Sequence, residues 1–292
     1  MGKWTARDIT DQQGRTFVVT GANSGLGEVA ARALGAAGAT VILACRDVDK
    51  AGVVAAQIGE NAQVRRLDLA DLASVREFAA GVEGVDVLIN NAGVMAVPQG
   101  TTVDGFETQF GTNHLGHFAL TGLLLDRITD RVVTLSSGFH RLGTMNLDDP
   151  NWERRKYNRW LAYGQSKLAN LLFAYELDRR LSSAGSKVKS LAAHPGYAAT
   201  NLQSHTASVW DKLMVVGNLA AQSAEMGALP ELYAATVDTA ASGSFIGPDG
   251  PFEQRGYPKS VGSNAKSRDR AVAAGLWGES ERLTGVTYSF GK

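Results

Sequence analysis

Short apolar runs alternate with amphipathic stretches through the first two thirds of the chain, and this alternation constrains the fold more than any other feature. Most of the runs are apolar on both faces, as strands are when both faces of their sheet are covered. The predicted strands are 16–20, 40–45, 64–69, 85–90, 131–137 and 187–194, and the predicted helices include 28–38, 47–59, 72–82 and 161–181. Strands joined by crossover helices pair in parallel. The sequence therefore predicts an α/β fold, a doubly wound parallel sheet with helices on both faces.

The domain organisation is predicted to be simple. The 292 residues show no internal repeat, low-complexity linker or shift in composition. A single domain over residues 1–292 is favoured, since α/β domains often reach about 250 residues or more. Two segments interrupt the rhythm. The polar segment 138–159, which contains Pro150, is predicted to be a surface insertion, and the stretch 247–267, rich in glycine and proline, is predicted to be loop.

Charge and cysteine content exclude several classes of protein. The 29 lysine and arginine residues balance 29 aspartate and glutamate residues, whereas a nucleic-acid-binding protein usually needs a basic face. The lone cysteine, Cys45, excludes an internal disulfide and a multi-cysteine metal site. The N-terminal residues lack the apolar core of a secretory signal, and no apolar stretch approaches the roughly 20 residues of a membrane span. We therefore expect a cytoplasmic protein without a metal ion, a membrane span or a nucleic-acid partner.

A glycine-rich turn between the first strand and the first helix predicts a dinucleotide site. In TGANSGLG (20–27), Gly21 allows a sharp turn, Gly25 allows the backbone to approach a pyrophosphate, and Gly27 allows close packing of helix and strand. The helix N-terminus adds free N–H groups and about half a positive charge. Because the turn follows the first of several alternating strands, it indicates a Rossmann-like fold that binds a nucleotide.

The residues that end the second strand bear on the choice of cofactor. An NAD site usually places a carboxylate there to accept from the ribose hydroxyls, whereas a 2′-phosphate needs a cation. Cys45 is uncharged and Arg46 follows it, so NADP(H) is favoured over NAD(H); an ordinary surface arginine is the alternative. Asp68, predicted to end the third strand, either accepts from the adenine amino group or caps the next helix, and the sequence favours neither.

Tyr163 and Lys167 carry the candidate acid–base chemistry. They lie four residues apart in a predicted helix, so they share one face and the ammonium can approach the phenol. A tyrosine ordinarily ionises near pH ~10, and a cation ~4 Å away can lower its pKa by roughly three units, an effect that burial partly offsets. Tyr288 and Lys292 share this spacing but lie in a glycine-containing tail. The position of Tyr163 after the serines of a central strand therefore favours the first pair.

Six motifs in register resemble the short-chain dehydrogenase/reductase family and span residues 16 to 200. They are TGANSGLG (20–27), NNAG (90–93), Asn113 in TNHLGHF, Ser137 in TLSSG, YGQSK (163–167) and HPGYAAT (194–200). The ACRD run, the NHLGHF run and the long insertion after Ser137 are similar to the retinol-dehydrogenase-like branch. The last third of the chain is less diagnostic.

The resemblance implies a role for each matching residue. Tyr163 would exchange a proton with the substrate oxygen, Ser137 would hydrogen-bond that oxygen, and Lys167 would lower the tyrosine pKa and bind the nicotinamide ribose. Asn113 would hold a water that links Lys167 to solvent. The remaining expected cofactor contacts are Gly21, Asn23, Ser24, Gly25, Leu26, Gly27, Arg46, Asp68, Leu69, Asn91, Ala92, Gly93, Pro195 and Thr200.

Three details of the site are open at this point. Ser136 is the alternative to Ser137, because strand alternation sends them to opposite faces; the motif favours Ser137. The insertion lengthens the separation between Ser137 and Tyr163 and should stand at the mouth of the site. The region 197–220 is predicted as a substrate lid, with a dimer contact or core packing as alternatives.

The sequence as a whole predicts an NADP(H)-dependent oxidoreductase that interconverts a carbonyl and an alcohol on a small, apolar substrate. Apolar residues expected near the pocket are Val94, Met95, Phe139, Tyr197, Trp210 and Met214. The alternative is a non-catalytic NADP(H)-binding sensor or scaffold, which would not need the Ser–Tyr–Lys set. His114 and His117 are predicted to serve packing or helix hydrogen bonds, since no cysteine cluster or helical carboxylate accompanies them. The oligomeric state is left open.

Overall fold

The computed structural model describes residues 3–197 and 222–290, which form one eight-stranded sheet with helices on both faces. The strands are β1 (Thr16–Thr20), β2 (Thr40–Cys45), β3 (Ala62–Arg66), β4 (Val85–Asn90), β5 (Ile128–Leu135), β6 (Lys189–Ala193), β7 (Phe245–Pro248) and β8 (Pro258–Ser260). Their spatial order is β3-β2-β1-β4-β5-β6-β7-β8. All neighbours pair in parallel except β7 and β8. The predicted α/β class and the Rossmann-like topology are confirmed.

Helices connect the strands and cover the sheet. They are α1 (Gly25–Ala36), α2 (Val48–Ile58), α3 (Leu72–Ala80), α4 (Thr108–Phe110), α5 (Gly116–Leu124), α6 (Arg159–Ser183), α7 (Ala224–Thr236) and α8 (Arg270–Thr284). A π-turn at Gly111–Leu115 joins α4 to α5. Short 3₁₀ turns occur at Ala6–Asp8, Leu125–Arg127, Gly138–Arg141, Pro251–Glu253 and Ala265–Arg268.

The alternation of side chains along each strand builds one core on each face of the sheet. Phe17 and Val19 of β1 belong to the core beneath α1, α2 and α7, whereas Val18 belongs to the core beneath α3, α5, α6 and α8. All three side chains are fully buried. Because a strand in this position meets apolar surface on both faces, it can be apolar throughout, which is the pattern that made the central strands predictable.

The ends of several elements differ from the prediction. The strands at 16–20, 40–45 and 85–90 lie where expected, but β3 ends at Arg66 instead of continuing to 69. The N–H of Leu67 still donates to the carbonyl of Cys45 at 2.9 Å, but the N–H of Asp68 donates to Ser74 Oγ of α3 at 3.0 Å, so the chain leaves the sheet at Asp68. The predicted loop at 247–267 is partly wrong, since it contains the end of β7 and all of β8. Both strands are short and carry prolines at their ends, so they lack a strand's usual pattern.

The topology places the candidate site at the carboxyl ends of the central strands. The strand order reverses between β1 and β4, and the crevice outside such a switch point is where doubly wound sheets bind their ligands. Thr20 ends β1, Asn90 ends β4 and Leu135 ends β5 at this edge.

Candidate active site

The glycine-rich turn has the backbone that a pyrophosphate site requires. Gly21 and Gly25 adopt the left-handed conformation, with φ of 67° and 58°. A Cβ on Gly27 would lie 2.4 Å from Asn91 Nδ2 and 2.5 Å from the carbonyl oxygen of Gly21. Ser24 is the N-cap of α1, yet its side chain makes no cap hydrogen bond. The backbone N–H groups at the start of α1 therefore remain available to an anion, and the turn fits the phosphates of a dinucleotide.

The other residues of this turn tie it to its surroundings. Asn23 donates from Nδ2 to the carbonyl oxygen of Asp47 at 3.3 Å, which joins the turn to the end of β2. Leu26 packs against the core beneath α1. Gly21, Asn23, Ser24, Gly25, Leu26 and Gly27 are thus brought together between β1 and α1.

The loop after β4 is held to the end of β1 by the Thr20 side chain. The backbone N–H groups of Asn91 and Ala92 both donate to Thr20 Oγ1, at 2.9 and 3.0 Å. Asn91 Nδ2 also donates to the carbonyl oxygen of Thr20 at 2.7 Å. A Cβ on Gly93 would lie 3.4 Å from Lys167 Nζ, so the loop leads directly to the catalytic helix α6.

The residues that follow β2 are an exposed arginine, Arg46, and an aspartate, Asp47, whose carboxylate caps the next helix. Arg46 is exposed and forms no ion pair within the described part of the chain. The side chain of Asp47 accepts from the N–H of Lys50 as the N-cap of α2. Burial raises the pKa of the Cys45 thiol to about 11, so the thiol stays neutral at physiological pH.

Asp71, and not Asp68, caps the helix that follows β3. Asp71 caps α3, accepting from the N–H groups of Ala73 and Ser74. Asp68 accepts only locally in this region, from the N–H of Ala70 at 3.0 Å, so the helix-cap alternative for Asp68 is wrong. Leu69 is buried, and its carbonyl lies against Gly116 at the start of α5.

Tyr163, Ser137 and Lys167 converge beside the loop after β4. Tyr163 and Lys167 lie one turn apart on α6, and Lys167 Nζ is 5.8 Å from the centre of the Tyr163 ring. The Ser137 side chain lies close enough to the Tyr163 phenol to lower its pKa. Lys167 Nζ donates to the carbonyl oxygen of Leu135 at 3.3 Å. The end of β5 and the first turns of α6 therefore place a hydroxyl, a phenol and an ammonium around one point.

The electrostatics of this trio differ from the expectation. Burial raises the pKa of Tyr163 to about 12, and the hydrogen bond from Ser137 opposes this. Burial also lowers the pKa of Lys167 to about 8. The predicted lowering of the tyrosine pKa by Lys167 is absent because the ammonium turns toward Leu135 and both groups are desolvated. The phenol is therefore protonated at neutral pH and able to donate its proton.

The two neighbouring serines face in different directions. Ser136 is buried and donates from Oγ to the carbonyl oxygen of Lys167 at 2.8 Å. Ser137 faces Tyr163, and its Oγ also accepts from the N–H of Phe139 at 3.3 Å. The structure thus brings Ser137, and not Ser136, to the phenol.

Asn113 lies in the π-turn and is completely enclosed by its partners. Its Oδ1 accepts from the N–H of Val94 at 2.7 Å, and its Nδ2 donates to the carbonyl oxygen of Val94 and to Ser166 Oγ, both at 2.9 Å. The carboxamide therefore clamps the loop after β4 to α6. The backbone carbonyl oxygen of Asn113 lies 3.0 Å from His117 Nδ1. The expected water relay through Asn113 stays a prediction.

Gln222 is hydrogen-bonded to the segment that follows β6. Pro195 accepts from Gln222 Nε2 at 2.6 Å, and the N–H of Gln222 donates to the carbonyl oxygen of Tyr197 at 2.9 Å. Residues 195–197 therefore adjoin residue 222. Thr200, Trp210, Met214 and the rest of the predicted lid beyond Tyr197 lie outside the described residues.

The segment 138–159 stands beside the site and is partly buried. Asp149 and Trp152 are only 7% and 5% exposed, so the expectation of a surface segment is wrong at its centre. The Tyr157 hydroxyl lies 3.2 Å from the carbonyl oxygen of Val97 and 2.9 Å from Gln109 Nε2. Through these bonds the segment is attached to the loop after β4.

Aromatic rings line the approach to Tyr163. Phe139 stacks on Trp160, with 5.4 Å between ring centres, and meets the Tyr163 ring edge-on at 5.6 Å. Leu142 and Leu161, which neighbour these rings in the chain, are 58% and 44% exposed. The side of the phenol that faces the segment 138–159 is therefore apolar.

The sequence did not reveal that Thr20 and Gln109 organise the site, or that His117 contacts Thr20. Gln109 supports the loop after β4 by accepting from the N–H of Ala96, a buried residue with φ of 48°. Thr20 could have been identified from the sequence as the polar residue that ends an apolar strand. His114 packs as expected, stacking on Phe110 and lying 2.9 Å from Ser280 Oγ.

Within residues 3–197 and 222–290, no group of three or more histidine, cysteine, aspartate or glutamate side chains could hold a metal ion. None of the described helices is long and apolar enough to cross a bilayer.

Known proteins resemble this chain in sequence and structure. A family model described as short chain dehydrogenase matches residues 15–147. Retinol dehydrogenase 13 of Homo sapiens is 45% identical over 293 residues, covering 94% of this chain and 85% of that protein. Retinol dehydrogenase 11 of Homo sapiens is 46% identical over 206 residues, covering 66% and 64%. The crystal structure of an uncharacterized protein from Mycobacterium Paratuberculosis is 53% identical, with a TM-score of 0.87, and covers 99% of this chain and 100% of that one.

Proposed function

The chain belongs to the retinol-dehydrogenase-like branch of the short-chain dehydrogenase/reductases, oxidoreductases that act on CH–OH groups, and from that premise we propose that it uses NADP(H) to interconvert a carbonyl and an alcohol on a small, apolar substrate. The convergence of Ser137, Tyr163 and Lys167 at the carboxyl edge of the sheet carries this proposal.

Tyr163 acts as the proton donor and acceptor. Its pKa of about 12 keeps the phenol protonated, so in the reducing direction it gives its proton to the substrate oxygen as negative charge develops there. The Ser137 hydroxyl, which lies beside the phenol, hydrogen-bonds the same substrate oxygen and stabilises that charge. A nicotinamide bound here would supply or accept the hydride. Lys167, whose Nζ lies beside Gly93, would hold the nicotinamide ribose.

The preference for NADP(H) rests on the end of β2. The carboxylate of Asp47 is engaged as the N-cap of α2, and the exposed guanidinium of Arg46 can pair with a 2′-phosphate. Arg66 adds a second exposed cation, since its Cα pairs with that of Cys45 in the neighbouring strand. Both cations would attract a phosphate that a carboxylate would repel.

The substrate is apolar near its reacting group. Phe139 and Trp160 form an aromatic wall next to Tyr163, and Val94 lies in the loop after β4, where its N–H donates to Asn113. The names of the similar human proteins refer to retinol, an apolar alcohol. We therefore place apolar aldehydes and alcohols, retinoids among them, first among the substrates.

The test is a set of steady-state assays in which NADPH and NADH oxidation are measured against a panel of apolar aldehydes and ketones. The proposal predicts turnover with NADPH and a kcat/KM at least about tenfold lower with NADH, the loss expected for one charge-assisted contact. Tight NADPH binding without turnover on the whole panel would contradict the enzymatic proposal and favour the sensor. A preference for NADH would overturn the cofactor assignment alone.

A further inference from the structure

His117 joins the end of β1 to the π-turn that carries Asn113. It lies in the first turn of α5, and its side chain is only 1% exposed. One ring nitrogen, Nε2, is 2.9 Å from Thr20 Oγ1, and the other, Nδ1, is 3.0 Å from the carbonyl oxygen of Asn113. Both nitrogens of the ring are thus used, each by a different part of the candidate site.

The hydrogen-bond inventory of Thr20 determines which nitrogen carries the hydrogen. Thr20 Oγ1 already accepts from the N–H groups of Asn91 and Ala92, and a hydroxyl oxygen has two lone pairs and one proton. No lone pair is left for an Nε2–H donor. Thr20 therefore donates its own proton to His117 Nε2, and the carbonyl oxygen of Ile89 at 3.3 Å is the longer alternative. The ring hydrogen lies on Nδ1 and is donated to Asn113.

The backbone carbonyl of Asn113 that His117 contacts belongs to a widened helical turn. In this π-turn the backbone bonds span five residues in place of four, as the N–H of Gly116 donating to the carbonyl of Gly111 shows. Asn113 also clamps Val94 and Ser166 through its carboxamide. Its orientation therefore affects the loop beside Lys167 Nζ and the residue that precedes Lys167 on α6.

We propose that His117 is a positioning residue. As a neutral Nδ1–H imidazole it donates to the backbone carbonyl of Asn113 and links the π-turn to Thr20. These two bonds keep Asn113, the loop after β4 and the catalytic turn of α6 in one geometry. The inference rests on the proposed oxidoreductase function for its effect on turnover. The tautomer and the positioning can both be measured without turnover.

The groups that face the ring keep it uncharged. Burial lowers the pKa of His117 to about 4, the bond to Asn113 opposes this, and the charge of Lys167 lowers it further. The remaining titratable neighbour, His114, is buried and has its own pKa lowered to about 3. A protonated ring would place a second N–H against the Thr20 oxygen, which has no lone pair to offer. The imidazole therefore keeps a single protonation state around neutral pH.

The first test compares two amide variants of similar polarity. In His117→Asn the amide nitrogen takes the place of Nδ1 and can still donate to the backbone carbonyl of Asn113. In His117→Gln the longer side chain places its amide near Thr20, so the Asn113 carbonyl loses its side-chain donor. We expect kcat with the best panel substrate to fall about tenfold or more in His117→Gln and at most about threefold in His117→Asn, with KM for NADPH nearly unchanged in both. A purely structural histidine would lower the melting temperature of both variants and leave kcat per folded molecule the same; that result would overturn the inference.

The second test reads the ring and the loop directly by NMR of the wild-type protein and both variants. We expect an Nδ1–H tautomer for His117 that does not titrate between pH 5 and 9, with the signal assigned by its loss in His117→Asn. The amide signals of Val94 and Lys167 should shift in His117→Gln and hold in His117→Asn. The inference would be overturned by an Nε2–H tautomer, by titration of His117 between pH 5 and 9, or by equal shifts in both variants. These readouts do not depend on turnover. A wild-type protein that reduced no carbonyl would refute only the proposed function.

Discussion

Ser136 Oγ donates to the backbone carbonyl oxygen of Lys167 across 2.8 Å, and this bond fixes the end of β5 to the catalytic turn of α6. Because neighbouring residues of a strand point in opposite directions, the same bond turns Ser137 toward Tyr163. The two adjacent hydroxyls therefore have separate tasks, one in holding the helix and one in contacting the phenol.

Substitution of these serines should separate activity from stability. Ser137→Ala should lower kcat about a hundredfold, because the substrate oxygen loses a hydrogen-bond donor in the transition state, and should leave the melting temperature nearly unchanged. Ser136→Ala should lower the free energy of unfolding by about 1 kcal/mol through loss of its bond to Lys167. Steady-state kinetics and thermal unfolding of both variants check this pair. Equal effects of the two substitutions on kcat would contradict the separation.

Arg46→Ala should weaken the interaction with NADPH selectively. Loss of a charge-assisted contact to the 2′-phosphate should raise KM for NADPH about ten- to a hundredfold and leave KM for NADH within about twofold. Arg65→Ala is the matched control, since Arg65 belongs to the neighbouring strand β3 but its guanidinium donates to the carbonyl of Gly81. If Arg46→Ala raised both KM values equally, Arg46 would not be the 2′-phosphate contact.

Gly27→Ala should damage the phosphate turn. A methyl group would lie 2.5 Å from the carbonyl oxygen of Gly21, a backbone atom that cannot move without displacing the turn. We expect a loss of about 1–3 kcal/mol in the free energy of unfolding and an NADPH affinity at least about tenfold lower. In α2, Gly52 has nothing within 4 Å of its added Cβ, so Gly52→Ala should stabilise the protein by about 0.5–1 kcal/mol. Wild-type NADPH affinity in Gly27→Ala would refute the role of this turn.

Glu231 is a buried carboxyl whose two oxygens find no hydrogen-bond partner in the described structure. Burial in α7 raises its pKa from an ordinary value of 4.5 to about 8. The folded protein therefore holds this proton to higher pH than the unfolded chain does. Between pH 4.5 and 8 the unfolded state releases the proton first, so the free energy of unfolding falls as pH rises through this window, by up to about 5 kcal/mol.

The variant Glu231→Gln should abolish this pH dependence. Urea unfolding at pH 5 and pH 8.5 should show the wild-type protein losing stability with rising pH and Glu231→Gln losing much less. Glu225→Gln, on the same helix but exposed, is the control, because hydrogen bonds from its own backbone N–H and from the Ser223 side chain lower the pKa of Glu225, which is already ionised across this range. Identical pH dependence in the wild-type protein and Glu231→Gln would contradict the buried, protonated carboxyl.

The parts of the fold that follow from local pattern were predictable from the sequence. Strands such as β2 and β4 are buried on both faces, so their apolar runs mark them almost residue by residue. The glycine turn could be placed because its context, strand before and helix after, is itself local. β7 and β8 could not, since a strand of three or four residues with prolines at its ends is stabilised by its neighbours in the sheet and leaves no pattern of its own.

The sequence indicated that Ser137, Tyr163 and Lys167 would lie together, but not which bonds each of them makes. The spacing of Tyr163 and Lys167 places them on one helix face, but it does not determine where the ammonium points, and Leu135 attracts it away from the phenol. The junction at His117 depends on Thr20, which is 97 residues away in the chain. Such contacts arise only when the sheet brings β1 beside the helix after β4.

The central claim is that the Tyr163 phenol transfers the proton, and it is tested most directly by measuring kcat and NADPH affinity for Tyr163→Phe. The substitution keeps the ring that Phe139 packs against and removes only the hydroxyl that Ser137 contacts. The account predicts a kcat lower by about a thousandfold with an NADPH dissociation constant within about threefold of wild type. A Tyr163→Phe protein that kept more than about a tenth of wild-type kcat would contradict it, since general acid–base catalysis contributes far more than that.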